Sequence, residues 1–565
     1  MRRHFQTCPD KTDIHQIPAR KRGRLVQACD TCRAKKSQCD SEHPCERCSL
    51  ARTECSYLRM NGSSRADTER LPMVSSTSHL PDESHAGFSH GAAPFLMSYT
   101  DPSLEATTDA FAAVGAHAEA FTDFAGTSNG PIASSYNLEG VFESLFTGIF
   151  SEIATNSTQT ADDLVSPEIS PNYMLALQNR AEELICNLHA RYKMGSELSK
   201  PSQHSFPLDL AKNIFTGPNL SKYVSAYFTY THPHFPFLHR PTFDALSVPT
   251  PLLLAMFLSG SFGCIPQDDA ISARQFYAIG EEYIFRHLEQ EVIGSDQDES
   301  HGVSTIQAAL LIVSLQSCFN NPAVRYRLRV KRHPVLVASL RSMALTGGRR
   351  TRSTDVVDWN DFVSEEMKIR LVTYVYVLDC MNTVFFNSPP LMTVAEMTGD
   401  MPCATALFEA STASEFAEQD AIISRFEAQS QSVKDLVSSL LHEDSHGCKL
   451  PDCSPAEPKH LLVAIFALHS VIFVSRTSLL LSSLYQPLLR ATDRWKELWD
   501  AAHARQGLEQ AHFVGFTKYG AELHWLARKL IKFAHEGNTK CRYMLAMPTD
   551  SLRDLHELIK LHSNG

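Results

Sequence analysis

Residues 28–55 read ACDTCRAKKSQCDSEHPCERCSLARTEC, and this stretch contains six of the fifteen cysteines of the 565-residue chain. The spacing, C-x2-C-x6-C-x5-C-x2-C-x6-C, consists of two C-x2-C-x6-C halves. The stretch is too polar to bury six unlinked thiols in a core of its own. Zinc takes four thiolates tetrahedrally, so six cysteines serve two ions if two of them bridge. The predicted ligands are Cys29, Cys32, Cys39, Cys45, Cys48 and Cys55.

Basic residues surround the first half of this stretch. On a short helix running from Cys32, Arg33 and Lys36 are three residues apart and share a face. A cationic helix end of this kind fits the DNA phosphate backbone and can place side chains at base edges in the major groove. The alternative is a solvated charge run that balances the net negative charge of the cluster. The predicted DNA-binding residues are Lys21, Arg22, Arg24, Arg33, Lys35 and Lys36.

At these residues the chain resembles the fungal binuclear zinc cluster transcription factors. It matches all six cysteines, the C-D-x-C-R-x-K-K run that starts at Cys29, and Pro44 before the fourth cysteine. The resemblance implies two Zn²⁺ ions bridged by Cys29 and Cys45. The expected fold class is mostly α, with a small N-terminal binuclear zinc cluster module at 20–60, a disordered acidic linker and a large all-α regulatory domain.

The resemblance also implies a role for individual basic side chains. Lys36 would read a CGG-type triplet in double-stranded DNA, while Arg33 and Lys35 hold phosphate. Gln38 stands where many members carry a further basic residue, which puts the triplet preference in doubt. The implied function is a sequence-specific, nuclear regulator of RNA polymerase II genes, including pathway-specific or gene-cluster-specific control. The alternative is a repressor, or a zinc-containing interaction protein without its own activation surface.

The charge of the N-terminal end suits a polyanionic partner. Residues 1–60 carry a net charge of +6, whereas residues 56–165 carry −11. No apolar segment follows the basic residues of the N-terminus, so we expect no secretory signal. The longest apolar stretch, 461–474, contains a histidine and a serine and is too short to span a bilayer. It predicts a buried helix and no membrane partner.

Two segments follow the cysteines. Residues 61–135 show neither helical nor strand periodicity and are predicted to be a disordered linker. In the acidic and aromatic segment 136–200, the apolar residues from Phe142 to Ile153 lie on one helical face. Residues 101–165 combine acidic side chains with aromatic ones, a composition that suits contact with coactivators or corepressors; the aromatic residues are Phe111, Phe121, Phe124, Phe142, Phe146 and Phe150. The alternative is that the stripe docks on its own domain.

From about residue 201 the sequence predicts helices. Apolar runs at 252–263, 304–319, 365–381, 460–484 and 520–537 are separated by polar breaks, which favours a large all-α region. Segments 223–243 and 365–392, the latter with Asp379 and Pro390, resemble the fungal-specific transcription factor, or middle homology, region. We assign 201–490 to this domain and 491–565 to a C-terminal helical extension. Residues 56–100 show no heptad, so we expect a monomer or a homodimer without a coiled coil.

The remaining motifs carry less weight. Local signatures of nucleotide-binding loops, serine hydrolases and zinc proteases are absent from the sequence, so we predict that the protein is no enzyme. MRRHFQTC is similar to the tail of a two-cysteine, two-histidine finger, with a plain basic leader as the alternative. Two further groups have metal-ligating side chains but are better explained as core histidines and a solvated loop: His232, His234 and His239; and His442, His446, Cys448 and Cys453.

Overall fold

A computed structural model divides the chain into two units, Met1–Ala86 and Gly87–Gly565. In the first unit it describes residues 48–49. In the second, hereafter the helical unit, it describes 93–111, 170–198, 205–234, 236–264, 268–293, 299–350, 358–423, 431–442, 457–506 and 515–563.

The described part of the helical unit is built from α-helices. In chain order they are α1 (Pro94–Tyr99), α2 (Pro171–Leu198), α3 (Leu208–Ile214), α4 (Gly217–Ala226), α5 (Thr250–Gly263), α6 (Asp268–Ala273), α7 (Tyr277–Ile293), α8 (Glu299–Ser317), α9 (Pro322–Arg327), α10 (His333–Ser342), α11 (Trp359–Phe386), α12 (Thr405–Phe408), α13 (Ala413–Ile423), α14 (Val433–Leu441), α15 (Pro458–Thr477), α16 (Leu481–Gln506), α17 (Gly520–His535) and α18 (Arg553–His562).

Short 3-10 and π turns join several of these helices. They are Tyr227–Thr231, His232–His234, Arg274–Phe276, Leu328–Arg332, Leu345–Gly347, Val394–Glu396, Gly515–Tyr519 and Arg542–Leu545. Within the described ranges the backbone forms no strand of a sheet, and one antiparallel bridge joins Ala106 to Phe319. The predicted all-α regulatory domain is therefore confirmed.

Four of the five predicted apolar runs coincide with single helices, α5, α8, α11 and α17. The fifth, 460–484, is two helices, because α15 ends at Thr477 and α16 begins at Leu481. Between them Leu479 has a left-handed backbone with φ 60°. The N–H of Leu480 turns back to the carbonyl of Ser475 at 3.0 Å, which ends the first helix.

The centre of the core is formed by α5 and α8, which are apolar on every side and packed against each other. At Gly260 of α5 the backbone touches α4. A Cβ atom there would lie 1.8 Å from the carbonyl oxygen of Tyr223. Glycine is therefore required for this approach of the two helices.

Helices α11 and α15 are long and apolar enough, by length and composition alone, to cross a membrane. Most of each apolar window is buried inside the helical unit, 72% for α11 and 67% for α15. Stretch 461–474 lies within α15, where residues 464–468 are fully buried. Burial against neighbouring helices accounts for this composition, as the sequence predicted for 461–474.

For residues 93–111, hereafter the strap, the structure differs from the predicted disordered linker. They lie inside segment 61–135, yet they contain α1 and pack on the helical unit, with Phe95 and Leu96 fully buried. The linker prediction is therefore wrong for these residues, since the run from Phe95 to Tyr99 supplies enough apolar surface to dock. The rest of segment 61–135 and the stripe from Phe142 to Ile153 lie outside the described residues.

The proposed domain boundary at residue 490 also fails. It falls inside α16, and α17 and α18 contribute Leu523, Leu526 and Leu558 to the same hydrophobic core as α5 and α8. Residues 491–565 are therefore an integral part of the helical unit rather than an extension of it.

Candidate zinc cluster and buried sites of the helical unit

Cys48 is the one predicted zinc ligand that the structure describes. It is helical and 2% exposed. The other predicted ligands and the predicted DNA-binding residues lie outside the described residues: Cys29, Cys32, Cys39, Cys45 and Cys55, and Lys21, Arg22, Arg24, Arg33, Lys35 and Lys36.

The donor set of this segment suits zinc. Six thiolates are soft ligands of the kind that zinc prefers, and the C-x2-C pairs permit two of them to share one ion. A buried cysteine at position 48, in a segment with few apolar side chains, fits a ligand held inside a metal cluster.

Among the described residues of the helical unit, the most buried charged group is Glu366 on α11, which is 0% exposed. One turn later, Arg370 donates from Nε to Glu366 Oε1 at 2.7 Å. Arg350 donates to Oε2 of the same carboxylate. The backbone N–H of Cys403 completes the site by donating to Oε1 at 2.8 Å. One carboxylate thus joins α11 to two loops.

Arg370 extends this network across the unit. Its Nη1 donates to the carbonyl of Pro236 at 3.0 Å, and its Nη2 donates to that of Cys403 at 2.8 Å. The guanidinium also lies 4.0 Å from the ring centroid of Phe408. Burial alone would raise the pKa of Glu366, but Arg370 and Arg350 outweigh it and hold that pKa below its usual value. The network is therefore ionised and structural.

A second buried carboxylate, Glu281 on α7, is also shared by two arginines. Arg327 donates from Nη2 to Oε2 at 2.7 Å, and Arg332 donates from Nε to Oε1 at 2.7 Å. Gln316 donates to Oε2 at 2.7 Å. The basic run from Arg325 to Arg332 is thus largely paired with acidic side chains inside the fold, rather than presented as a cationic surface.

His333 and Asp379 form a pair that resembles part of a hydrolytic triad, with Nε2 2.9 Å from Oδ1. Both side chains are 2% exposed. The carboxylate also accepts the backbone N–H groups of Leu391 and Met392, at 2.9 and 2.8 Å from Oδ2. Asp379 therefore holds the loop that follows α11. This contact accounts for the presence of Asp379 and Pro390 together in segment 365–392.

The histidines considered as metal ligands have other partners. His232 is buried, and its Nε2 lies 2.7 Å from the carbonyl oxygen of Leu238. Burial lowers its pKa to about 4, so the ring is neutral. His239 is buried and bonded to Thr242 Oγ1 at 2.9 Å. Among the described residues no three His, Cys, Asp or Glu side chains are grouped closely enough to hold a metal. Of the group 442–453, His442 alone is described, and it is exposed.

The strap is held by groups that the sequence reasoning missed. Glu522 on α17 accepts the backbone N–H groups of Phe95 and Leu96, at 3.1 and 2.8 Å. The Phe95 ring stacks on Tyr519 with centroids 3.6 Å apart. Burial raises the pKa of Glu522 to about 7, against the opposing effect of the two N–H donors. The sequence feature that could have identified the strap was the apolar run that follows Pro94, within an otherwise polar segment.

Phe111 lies in the same aromatic cluster, 4.8 Å from Phe95 and 5.4 Å from Phe516 by ring centroids. Phe111 therefore packs against the helical unit. The prediction that this side chain contacts a coactivator or corepressor is corrected.

Comparison with known proteins agrees with this architecture. Residues 27–64 match the Fungal Zn(2)-Cys(6) binuclear cluster domain, and residues 224–497 match the Fungal specific transcription factor domain. Together the two matches cover more than half of the chain. The chain belongs to the fungal binuclear zinc cluster transcription factors. Its resemblance to that family and its function as a sequence-specific DNA-binding regulator are thereby confirmed.

Several known proteins are similar to different parts of the chain. Transcription factor verF of Penicillium polonicum is 25% identical, over 94% of this chain and 85% of its own length. Zinc finger protein zas1 of Schizosaccharomyces pombe is 27% identical over 33% of this chain and 21% of its own. The nicotinate catabolism cluster-specific transcription factor of Emericella nidulans is 25% identical, over 38% and 25% respectively. No solved structure matches the chain significantly.

Proposed function

We propose that residues 20–60 of this transcription factor hold two zinc ions and read DNA. The six cysteines would be the ligands, with Cys29 and Cys45 as the bridges. The match of 27–64 to the binuclear cluster domain carries this proposal. The ions fold a segment that has too little apolar surface to fold alone.

The chemistry of recognition follows from charge and geometry. Lys36 would donate to acceptors on the bases of a CGG-type triplet, and Arg33 and Lys35 would bind phosphates on either side. Lys21, Arg22 and Arg24 would add contacts to the backbone that do not depend on sequence. Each phosphate contact releases counterions, so the affinity should fall steeply with salt.

The helical unit would act as the regulatory part of a nuclear protein that recruits coactivators or corepressors and catalyses no reaction. Its buried carboxylates have partners within the fold: Glu366 pairs with Arg370, and Asp379 accepts the backbone N–H of Leu391. We propose a revised division: a cluster module at 20–60, and a regulatory domain that includes the strap and extends through α18. A homodimer would form without a coiled coil. Control of one pathway or gene cluster is proposed by analogy with the Emericella nidulans relative.

A DNA shift assay on the full chain tests the proposal. The chain should bind a duplex carrying a CGG triplet more tightly than a scrambled duplex, and binding should weaken as salt rises. Equal affinity for both duplexes, or no DNA binding with two zinc ions bound, would favour the zinc-containing interaction protein. A repressor is separated from an activator by fusing residues 112–165, without the strap, to an unrelated DNA-binding module and measuring reporter output.

A further inference from the structure

The last two helices and the segment that joins them form a recess on the surface of the helical unit. It lies between α17, the turn Arg542–Leu545 and the C-terminal end of α18, and its volume is about 230 Å³. A cavity of about 150 Å³ is enough to hold a benzene ring. The recess therefore has room for one aromatic side chain. Its lining residues are Phe533, Asn538, Lys540, Cys541, Met544, Leu558, Leu561 and His562.

The base of the recess is apolar, and apolar side chains are exposed around its rim. At the base, Phe533 packs against the ring of His562, with centroids 4.2 Å apart. At the rim, Leu561 is 66% exposed, and Leu545 and Met547, at the end of the adjoining turn, are 52% and 61% exposed. Exposed apolar side chains grouped around a recess are typical of an interaction surface. An aromatic anchor inside it with apolar neighbours on the rim is the pattern of a docked helix.

The rim is held in place by the backbone beside it. Ala546 lies between the two exposed side chains of the turn and has a left-handed backbone with φ 52°. On one side of Ala546, the hydroxyl of Tyr543 donates to the carbonyl of Val384 at 2.6 Å. On the other side, the N–H of Thr549 donates to the carbonyl of Phe386 at 2.9 Å. The surface is thus preformed, which lowers the entropy cost of binding.

Basic side chains surround the recess. Lys540 lines it, and Lys560 is exposed two residues before His562 on α18. Burial and the charge of Lys529 lower the pKa of His562, so Lys529 also lies close to this ring. Among the lining residues that the structure describes, none is acidic. The recess therefore suits an acidic partner.

Two acidic side chains of α18 lie nearby without cancelling this charge. Asp554 and Glu557 raise the pKa of the Cys541 thiol, although burial is the larger cause. Asp554 is itself paired with Arg542, at 3.5 Å. Four basic side chains thus stand against two acidic ones around the recess.

The chain itself contains a segment that complements this surface. Residues 112–169 contain eight acidic side chains and no lysine or arginine. Within them, the stripe from Phe142 to Ile153 places aromatic and aliphatic side chains on one helical face, with Glu143 and Glu152 off that face. A second copy of the chain fits less well, because a two-fold interface would bring the same basic side chains together.

The segment is tethered within reach of the recess. Helix α1 of the strap packs against both α17 and α18, and the segment follows the strap directly. Thirty residues separate Phe111 from Phe142, and sixteen separate Ile153 from Ser170. At about 3.3 Å per residue these connections extend to about 100 Å and about 50 Å. A domain of this size has a radius of gyration of about 23 Å, so both connections are long enough.

We propose that stripe 142–153 docks in this recess as a helix, with one phenylalanine ring inside it, apolar neighbours on the rim and acidic side chains toward Lys540 and Lys560. The docked stripe cannot contact a coactivator at the same time, so the helical unit holds its own effector segment in reserve. That consequence rests on the proposed recruitment of coactivators. The docking is measured without DNA or coactivator, so its failure is distinguishable from failure of the proposed function.

The test measures binding of a fluorescent peptide of residues 136–158 to the full chain. In the wild type the tethered segment competes for the recess at an effective concentration of about 1 mM, which weakens a peptide with a Kd of about 0.1 mM by about tenfold. Phe146→Ala together with Phe150→Ala disables this competitor. The double variant should therefore bind the peptide about tenfold more tightly than the wild type.

Leu561→Asp places a negative charge on the rim without removing a buried side chain. Combined with the double variant, it should weaken peptide binding by at least about tenfold, since like charges then face each other. Introduced alone, it should speed amide hydrogen exchange of residues 142–153. Ile271→Asp is the matched control, because Ile271 is 49% exposed on α6, which does not line the recess. It should leave both measurements unchanged.

Three results would overturn the proposal. They are equal affinity of the peptide for the wild type and the double variant, no binding to the double variant at about 1 mM peptide, and equal effects of Leu561→Asp and Ile271→Asp. A concentration-dependent dimer that Leu561→Asp dissociates, without protection of residues 142–153, would assign the surface to a second copy of the chain instead.

Discussion

The cysteine segment and the helical unit overcome the entropy cost of folding by different means. Residues 29–55 contain one large aliphatic side chain, Leu50, whereas α5 alone buries six large apolar side chains from Leu252 to Leu258. Each buried aliphatic or aromatic side chain contributes about 1.5–3 kcal/mol. We therefore expect the first region to draw its stability from metal ligation, while the second draws it from apolar burial and tolerates paired charges inside.

The strongest test of this contrast is removal of zinc. Chelation should unfold residues 20–60 and abolish DNA binding, because structural zinc supplies about 10–16 kcal/mol to such segments. The helical content of the rest should remain, as measured by circular dichroism. Metal analysis of the untreated chain should give two zinc ions per chain.

The bridging assignment sharpens this test. Cys45→Ser should lower the content of both ions, whereas Cys39→Ser should first weaken one. Cys186→Ser, on the exposed face of α2, is the control and should keep both ions. A wild-type content of one zinc ion per chain would rule out the bridged cluster.

In the helical unit the largest effect should come from Glu366→Gln. Without this charge, buried Arg370 and partly buried Arg350 would together carry one positive charge that has no partner, which should cost about 3–5 kcal/mol of unfolding free energy. Chemical denaturation followed by circular dichroism measures this. Zinc content should not change.

Glu299→Gln is the matched control for this variant. Its carboxylate pairs with Lys368 but is 63% exposed. The expected loss is below about 1 kcal/mol, because solvent screens exposed pairs. A similar loss in both variants would mean that burial does not govern these ion pairs.

A third prediction separates base reading from phosphate binding. Lys36→Ala should cost about 1–3 kcal/mol on the matched triplet and relax its preference. Arg22→Ala should weaken binding to all sequences alike and reduce the salt dependence. If both variants lower specific and nonspecific affinity by the same factor, the base-reading role of Lys36 is wrong.

The smallest predicted effect is a pH dependence at the strap. The pKa of Glu522 is raised to about 7 from 4.5, so the folded state holds this proton more tightly than the unfolded state. Its contribution to stability is therefore complete below about pH 4.5 and is lost as the pH rises through about 7. Glu522→Gln cannot ionise and should remove this loss.

The measurement is the difference in thermal midpoint between Glu522→Gln and the wild type, from pH 5 to pH 8. This difference should grow in favour of the variant as the pH rises. Buried histidines such as His232, with a pKa near 4, lose stability as the pH falls, but they act equally in both proteins. A constant difference across the range would contradict the raised pKa.

Much of this architecture is readable from the sequence because its signals are local. Six cysteines at fixed spacing identify the cluster module, and uninterrupted apolar runs identify α5, α8, α11 and α15. The strap was missed because α1 is one and a half turns long and its partner, Glu522, lies more than 420 residues away.

The contacts of the strap also bear on how the chain matures during synthesis. Thr100 bonds to His556, 456 residues later, so the strap leaves the ribosome long before its partners exist. Until α17 and α18 emerge, Phe95, Leu96 and Tyr99 have no place to dock and remain available to chaperones. A nascent chain that stops before residue 519 would keep this apolar run exposed. Completion of the helical unit thus waits for α17 and α18 to be translated, and a chain that stops before them would be a substrate for degradation rather than a shortened regulator.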